Sequence, residues 1–134
     1  MKEKNMALFW GKYIKSHPPN RLETYEMKFT KKKRIAFDAV AVHQVWYLDH
    51  SNKGLYYKIP DMASADGYSA KKPFDSLWII SADPFIVVWF YKPRQKKLFH
   101  KIPLDTFLWL KENNKFKSFT EEDLDGYAEV VDIT

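Results

Sequence analysis

The chain contains no cysteine, which excludes a disulfide framework, a thiolate nucleophile and a cysteine-ligated zinc site. A reducing cytoplasm is the simplest expected home. Only 4 of the 134 residues are glycine, and their scatter matches neither a Walker nor a Rossmann phosphate loop. The few Ser and His lack nucleophile-elbow spacing. No apolar run is long enough to cross a bilayer: Leu77 to Tyr91 is cut by Ser81, Asp83 and Pro84, so it reads as two strands around a turn. The run from Met6 to Trp10 is too short for a signal-peptide core. What remains is 46% hydrophobic and 29% charged residues, the composition of a folded domain. One domain is expected over 1–134, with an N-terminal helix and linker at 1–22 and an acidic tail at 112–134 on or near the core.

The formal net charge of +5 conceals an asymmetry. Residues 1–35 carry 10 basic and 3 acidic groups, residues 36–111 carry 10 and 7, and residues 112–134 carry 2 and 7. The body is basic and the tail acidic. Two clusters stand out, Lys31-Lys32-Lys33-Arg34 and Lys92-Pro93-Arg94-Gln95-Lys96-Lys97. A polyanion suits such patches, because cations that neutralise phosphates release condensed counterions. A solvated face that keeps the protein soluble would look the same in sequence.

Periodicity orders the elements. Apolar groups at Met6, Leu8, Phe9, Trp10, Tyr13 and Ile14 make an amphipathic helix that Pro18-Pro19 stops. Glu23 to Phe29 alternates as a half-buried strand. Val42, Val45, Trp46 and Asp49 have helical spacing in a helix expected over 39–49, preceded by Asp38 and ended before Gly54. Leu55 to Ile59 reads as a short strand and 61–72, with Ser64, Asp66, Gly67 and Ser69, as a polar loop. Phe74 to Ile80 and Phe85 to Tyr91 read as apolar strands joined by Ser81-Ala82-Asp83-Pro84, with Leu98 to Ile102 returning from a basic hairpin tip. Asp105 is placed to cap a helix carrying Phe107, Leu108 and Leu110, and Thr120 with Asp123 resembles the start of a short final one. The sum is an α/β protein with a mixed central sheet flanked by helices. Most of the 23 aromatic residues, Trp10, Trp46, Trp78, Trp89 and Trp109 included, are expected in the core, although each offers a stacking face for a base.

The most chemical feature is Glu26-Met27-Lys28. Period-two geometry sends Glu26 and Lys28 to one face, ~6–7 Å apart along the strand. A carboxylate, a neighbouring main-chain carbonyl and an ammonium in that arrangement suit a metal-dependent phosphodiesterase. An ordinary exposed strand face also produces Glu-x-Lys by chance.

From this motif onward, the chain is similar to the RecU-like Holliday-junction resolvases of the PD-(D/E)XK nuclease superfamily. Tyr25-Glu26-Met27-Lys28, the basic run Lys31 to Arg34, Phe37, His43-Gln44 and Gly54-Leu55-Tyr56-Tyr57 occur in the order of that family's strand, basic turn, Phe segment, His-Gln helix and Gly-led strand. Later, a hairpin of apolar strands, a helix with Asp105, Phe107 and Trp109, and Lys117-Ser118-Phe119-Thr120 continue the likeness, which covers roughly 23–130. The resemblance implies a restriction-endonuclease-like fold and hydrolysis of branched DNA with Mg²⁺ or Mn²⁺. It implies a two-fold homodimer, metal ligation by Glu26 and the Met27 carbonyl, Lys28 beside the attacking water, and Gln44, with or without His43, near the site. Lys31, Lys32, Lys33, Arg34, Lys92, Arg94, Lys96 and Lys97 would hold DNA phosphates. No membrane partner is expected.

One departure falls on the chemistry. The family places a second carboxylate on the strand before Glu-x-Lys, yet no acidic residue lies between Trp10 and Leu22, and Glu23 should point to the opposite face from Glu26. Asp75, in Lys72-Pro73-Phe74-Asp75-Ser76, is the substitute expected here, on a strand packed beside the Glu26 strand; a turn Asp after Pro73 would look alike. Asp61 is a weaker candidate for the border of the site. The departure leaves two other readings open: a DNA-binding module with an incomplete metal site, and a protein-interaction factor of a phage or mobile element whose basic surface meets an acidic partner.

Overall fold

The computed structural model describes residues 2–63, 69–70 and 72–134. Helix α1 (Glu3–Ser16) is followed by strand β1 (Glu23–Thr30), β2 (Arg34–Ala36), a 3-10 turn at Phe37–Ala39 and helix α2 (Val42–Lys53). Strands β3 (Leu55–Lys58), β4 (Met62–Ala63), β5 (Ser69–Ala70) and β6 (Ser76–Ile79) come next. The chain then forms β7 (Asp83–Phe90), β8 (Leu98–Pro103), α3 (Leu104–Asn113), β9 (Ser118–Thr120), a second 3-10 turn at Glu122–Leu124 and β10 (Glu129–Asp132).

Four of these strands build the central sheet in the order β1-β7-β8-β10, with β1 parallel to β7 and the other pairs antiparallel. The sheet is mixed, and helices cover it on both sides. Its centre is β7, whose unbroken apolar run is buried on both faces, as a strand covered on two sides must be. Alternation along β7 splits the core. Ile86, Val88 and Phe90 pack with Leu48 of α2, Phe107 of α3 and Phe119 of β9, while Val87 and Trp89 pack with Met6 and Trp10 of α1 and Phe99 of β8.

The structure departs from the expected elements at several places, among them the short pairs β2-β9 and β4-β5 where a turn or loop is expected. The helix expected over 39–49 begins at Val42, because the Gln44 side chain accepts the Ala41 N–H at 2.8 Å and closes the first turn there, while the Asp38 carboxylate goes to Lys111 at 2.9 Å. Ser81 to Pro84 is no hairpin turn. Its backbone docks on the end of α2, through Ser81 N–H to the Asn52 carbonyl and Ala82 N–H to the Ser51 carbonyl, then enters β7 alongside β1. Asp105 sits in the first turn of α3 without capping it. The final strand β10 is too short to show a periodicity of its own. The strand before Asp83 pairs with β3 and not with β1, since β7 occupies the inner edge of β1.

Thr120 and Asp123 exchange reciprocal side-chain to backbone bonds at 2.9 and 3.2 Å around the second 3-10 turn. Ser64, Asp66 and Gly67 of the expected 61–72 loop lie outside the described residues. The acidic tail is built into the core, through buried Phe119, Leu124 and Val131. No helix among the described residues is long and apolar enough to cross a membrane.

Candidate functional site

Strand alternation fixes which side chains of β1 can cooperate. Tyr25, Met27 and Phe29 pack into the α1 side of the sheet. Glu23 stays with them, bonded to the Tyr25 hydroxyl and to Lys101 at 2.8 Å, on the opposite face from Glu26 as its three-residue offset requires. Burial first, then the hydrogen bond to Glu23 and its charge, pushes the Tyr25 phenol above its ordinary value.

On the α2 side, Lys28 Nζ stands 3.4 Å from Glu26 Oε1, and Gln44 Nε2 donates to the same oxygen at 2.8 Å. The Gln44 amide has one workable orientation. Its oxygen is committed to the Ala41 N–H, so its NH₂ must find an acceptor, and Glu26 is that acceptor. The cap that starts α2 thus also aims the Glu26 carboxylate. Both charged side chains are largely buried, and among the described residues Glu26 Oε2 carries no hydrogen bond.

Glu26 and Gln44 line a cavity of about 460 Å³ between α2, the edge of β1 and the β3-β6 ribbon. Thr24, Tyr47, Ser51, Leu55, Tyr57 and Ile79 complete most of its wall. The volume falls within the ~300–1,000 Å³ of small-molecule sites. His43 is exposed and does not line it.

Asp75 is placed differently from the strand-by-strand arrangement expected of it. Its carboxylate is 91% exposed and 3.4 Å from Lys72 Nζ, which also holds Asp61 at 2.8 Å. The ribbon's register nonetheless relates it to the cavity. The Ile59 N–H bonds to the Asp75 carbonyl one pleat beyond the Tyr57–Leu77 pair, so Asp75 shares a parity with Leu77 and Ile79, and Ile79 lines the Glu26 cavity. Among the described residues no three His, Asp or Glu side chains converge as a metal cluster.

The first basic cluster meets the start of the second in space, while Arg94, Lys96 and Lys97 do not line their common groove. Because β1 and β7 run parallel, their carboxyl ends bring Lys31, Lys32 and Lys33 against Lys92 in a groove of about 420 Å³ that also contains Glu121 and Glu122. The tail neutralises part of this surface: Glu121 bonds Lys92 at 2.8 Å and buried His100 at 2.9 Å, and Asp132 lies 3.9 Å from Lys96. Arg34 is committed to Ser118 and stacks over Phe116, while Lys97 sits over Phe9 on the α1 side. Lys31, Lys32, Lys33 and Arg94 are exposed and form no ion pair among the described residues.

Burial pushes the Glu121 carboxyl up, but the hydrogen bonds from Lys92 and His100 and the charge of both outweigh it, so its value is lowered overall. A depressed carboxylate stabilises the fold above its unfolded value, and that contribution is lost as pH falls through the folded one. Glu121→Gln is therefore expected to flatten the decline in stability below about pH 4.5. Urea midpoints measured across a pH series check this; an unchanged acid limb would show that Glu121 titrates alike in both states.

Aromatic residues depart most from the core expectation. Trp10 and Trp89 are buried, but Trp46, Trp78 and Trp109 are 48%, 62% and 51% exposed. Trp46 stacks on His50 at 3.9 Å, and Tyr47 meets Tyr57 edge to face at 6.4 Å beside the cavity. Their helical and strand spacing conceals this, since it reveals an apolar face without revealing what covers it. No family model matches this chain, and neither a curated protein nor a solved structure does.

Proposed function

We propose that the protein is a divalent-metal-dependent DNA endonuclease that hydrolyses phosphodiesters in branched DNA, with a PD-(D/E)XK-type, RecU-like fold. The observation that carries the reading is the contact between Gln44 and Glu26, with Lys28 beside it: three residues that the resemblance associates, separated by up to 18 positions, come together, and Glu26 and Gln44 stand on the wall of one cavity. An acid, a base and an amide gathered for stability alone would not need that opening.

The donor set admits a hydrated Mg²⁺ or Mn²⁺, which keeps several waters and needs one or two carboxylates. Glu26 Oε2 and the Met27 carbonyl would hold it, and Asp75 would supply the second carboxylate by leaving Lys72. The ion, when bound, would polarise the scissile phosphate and supply an activated water. Lys28 places a cation where negative charge grows, and Gln44 keeps the Glu26 carboxylate from rotating away. Lys31, Lys32 and Lys33, with Lys92, would fix the DNA backbone by shape. Two symmetric cuts in a four-way junction require two active sites, so the reading includes a two-fold homodimer on DNA.

The test is binding of a labelled immobile junction, a linear duplex and single strands in EDTA, followed by addition of Mg²⁺. Preferential binding of the junction and cutting only after metal addition are expected; equal cutting of all three DNAs, or cutting in EDTA, overturns the proposal. The same binding assay tests the groove. Lys31→Gln, Lys32→Gln and Lys33→Gln should each reduce the slope of log affinity against log salt by about 0.9 if that lysine meets a phosphate. An unchanged slope in all three removes the groove from the DNA path.

A second reading has one specific observation behind it. Glu26 is the single carboxylate on the described wall of the cavity, and a fold that binds branched DNA without cutting it would need no second one.

A further inference from the structure

We propose that the cavity beside Glu26 receives one unstacked nucleobase of the bound DNA, next to the phosphate that is cut. This rests on the nuclease reading and names the part of the substrate that its site would recognise.

The cavity is larger than a hydrated cation requires, and its wall away from Glu26 is built for a flat, partly polar guest. Leu48, Leu55 and Ile79 supply apolar surface, and Tyr47 and Tyr57, both substantially exposed, stand at its rim. An aromatic ring in such a position offers stacking to any base, because every base has a π-face.

The polar groups inside show which edge of the guest they match. Ser51 Oγ donates to the Leu48 carbonyl at 2.6 Å, which spends its only proton. The Thr24 hydroxyl, 2.8 Å from Ser51 Oγ, must then be the donor in that pair. Its lone pairs make it an acceptor on the cavity wall. An acceptor set among apolar surfaces complements a base edge carrying an N–H donor. Glu26 would stay with the cation and the phosphate that is cut, so the rest of the backbone is left to the lysines and the base to the cavity.

Branched DNA makes the guest available. Extruding a base from a continuous duplex costs a few kcal/mol, and that cost is smallest where pairing or stacking is already interrupted. A site that must seat one base before cutting would therefore favour branch points without reading sequence. The preference for branched DNA would arise from this cavity as well as from the basic groove.

Photocrosslinking tests this without cleavage. Junctions carrying a single 5-iododeoxyuridine at successive positions around the branch point are bound to wild-type protein in EDTA, irradiated, and the adducts located by mass spectrometry. Adducts at Tyr47 or Tyr57 are expected from one position only, and Tyr57→Ala should weaken junction binding about 10-fold while Tyr57→Phe leaves it unchanged. Tyr57 is half out of the fold, so its truncation leaves the core intact. Adducts confined to Tyr56 and Trp78 on the other face of the ribbon or to the basic groove, or a bound junction that gives no adduct, overturn the base cavity while the nuclease reading stands. Failure to bind any of these DNAs overturns both.

Discussion

Glu26→Gln is expected to lower metal-dependent cleavage of junction DNA by at least about 100-fold, the scale set by losing one charged group at a phosphoryl-transfer site, while junction affinity changes little. The substitution is nearly isosteric. Its amide oxygen can still accept from Gln44 Nε2, so the start of α2 and the cavity wall stay in place. What disappears is the negative charge that faces Lys28 and would hold the cation. Gln44→Glu makes an informative companion, because a Glu at this position preserves the bond to the Ala41 N–H and replaces the hydrogen bond to Glu26 with like-charge repulsion. A positioning role predicts an altered Mg²⁺ requirement in Gln44→Glu, together with the lower urea midpoint that two adjacent carboxylates impose. A loss of stability without that altered requirement would make Gln44 a helix cap alone. Single-turnover rates at a series of Mg²⁺ concentrations separate the two.

Phe119→Ala is expected to cost about 3–5 kcal/mol of folding free energy, a large fraction of the ~5–15 kcal/mol by which domains are stable. The ring is 1% exposed and lies 4.9 Å from Phe37, with Phe90 and Phe107 at 6.1 Å, at the junction of β2, β7, α3 and β9. Such a cavity cannot collapse easily, since each neighbour is itself held by another element. Val130→Ala nearby in the chain, at an exposed site on β10, should cost less than about 1 kcal/mol. Chemical denaturation of both variants checks the contrast. Equal and small losses would mean that the acidic tail lies on the domain without completing it.

Local rules make much of this fold legible from the residues. The Glu26–Lys28 face follows from strand period, and the apolar periodicity around Trp10 and Phe107 places α1 and α3, two of the three helices that cover the sheet. Gln44 is reached through resemblance, and its physical role becomes visible only when the helix start and the β1 face are seen together. Asp75 shows where strand patterns run short. A strand's own pattern says that it has a buried side but not which strand lies beside it, and β6 has β3 available as a partner across a segment with no periodic signal. The tail is expected on or near the core, but its charge does not say how it is held: Phe119, Leu124 and Val131 tie it in and place Glu121 against Lys92. Charge predicts the ion pair, and three apolar residues among polar ones supply the anchorage.

Everything proposed for the site depends on whether Glu26 serves a metal-dependent cut. The most direct measurement adds Mg²⁺ to preformed complexes of labelled four-way junction with wild-type protein and with Glu26→Gln, and follows nicked product in a single turnover. Nicks near the branch point are predicted from wild type in the metal-containing reaction, none in EDTA, and an intact junction in the Glu26→Gln complex. Wild type that holds the junction and leaves it whole in both Mg²⁺ and Mn²⁺ would contradict the nuclease mechanism and establish a binding module instead.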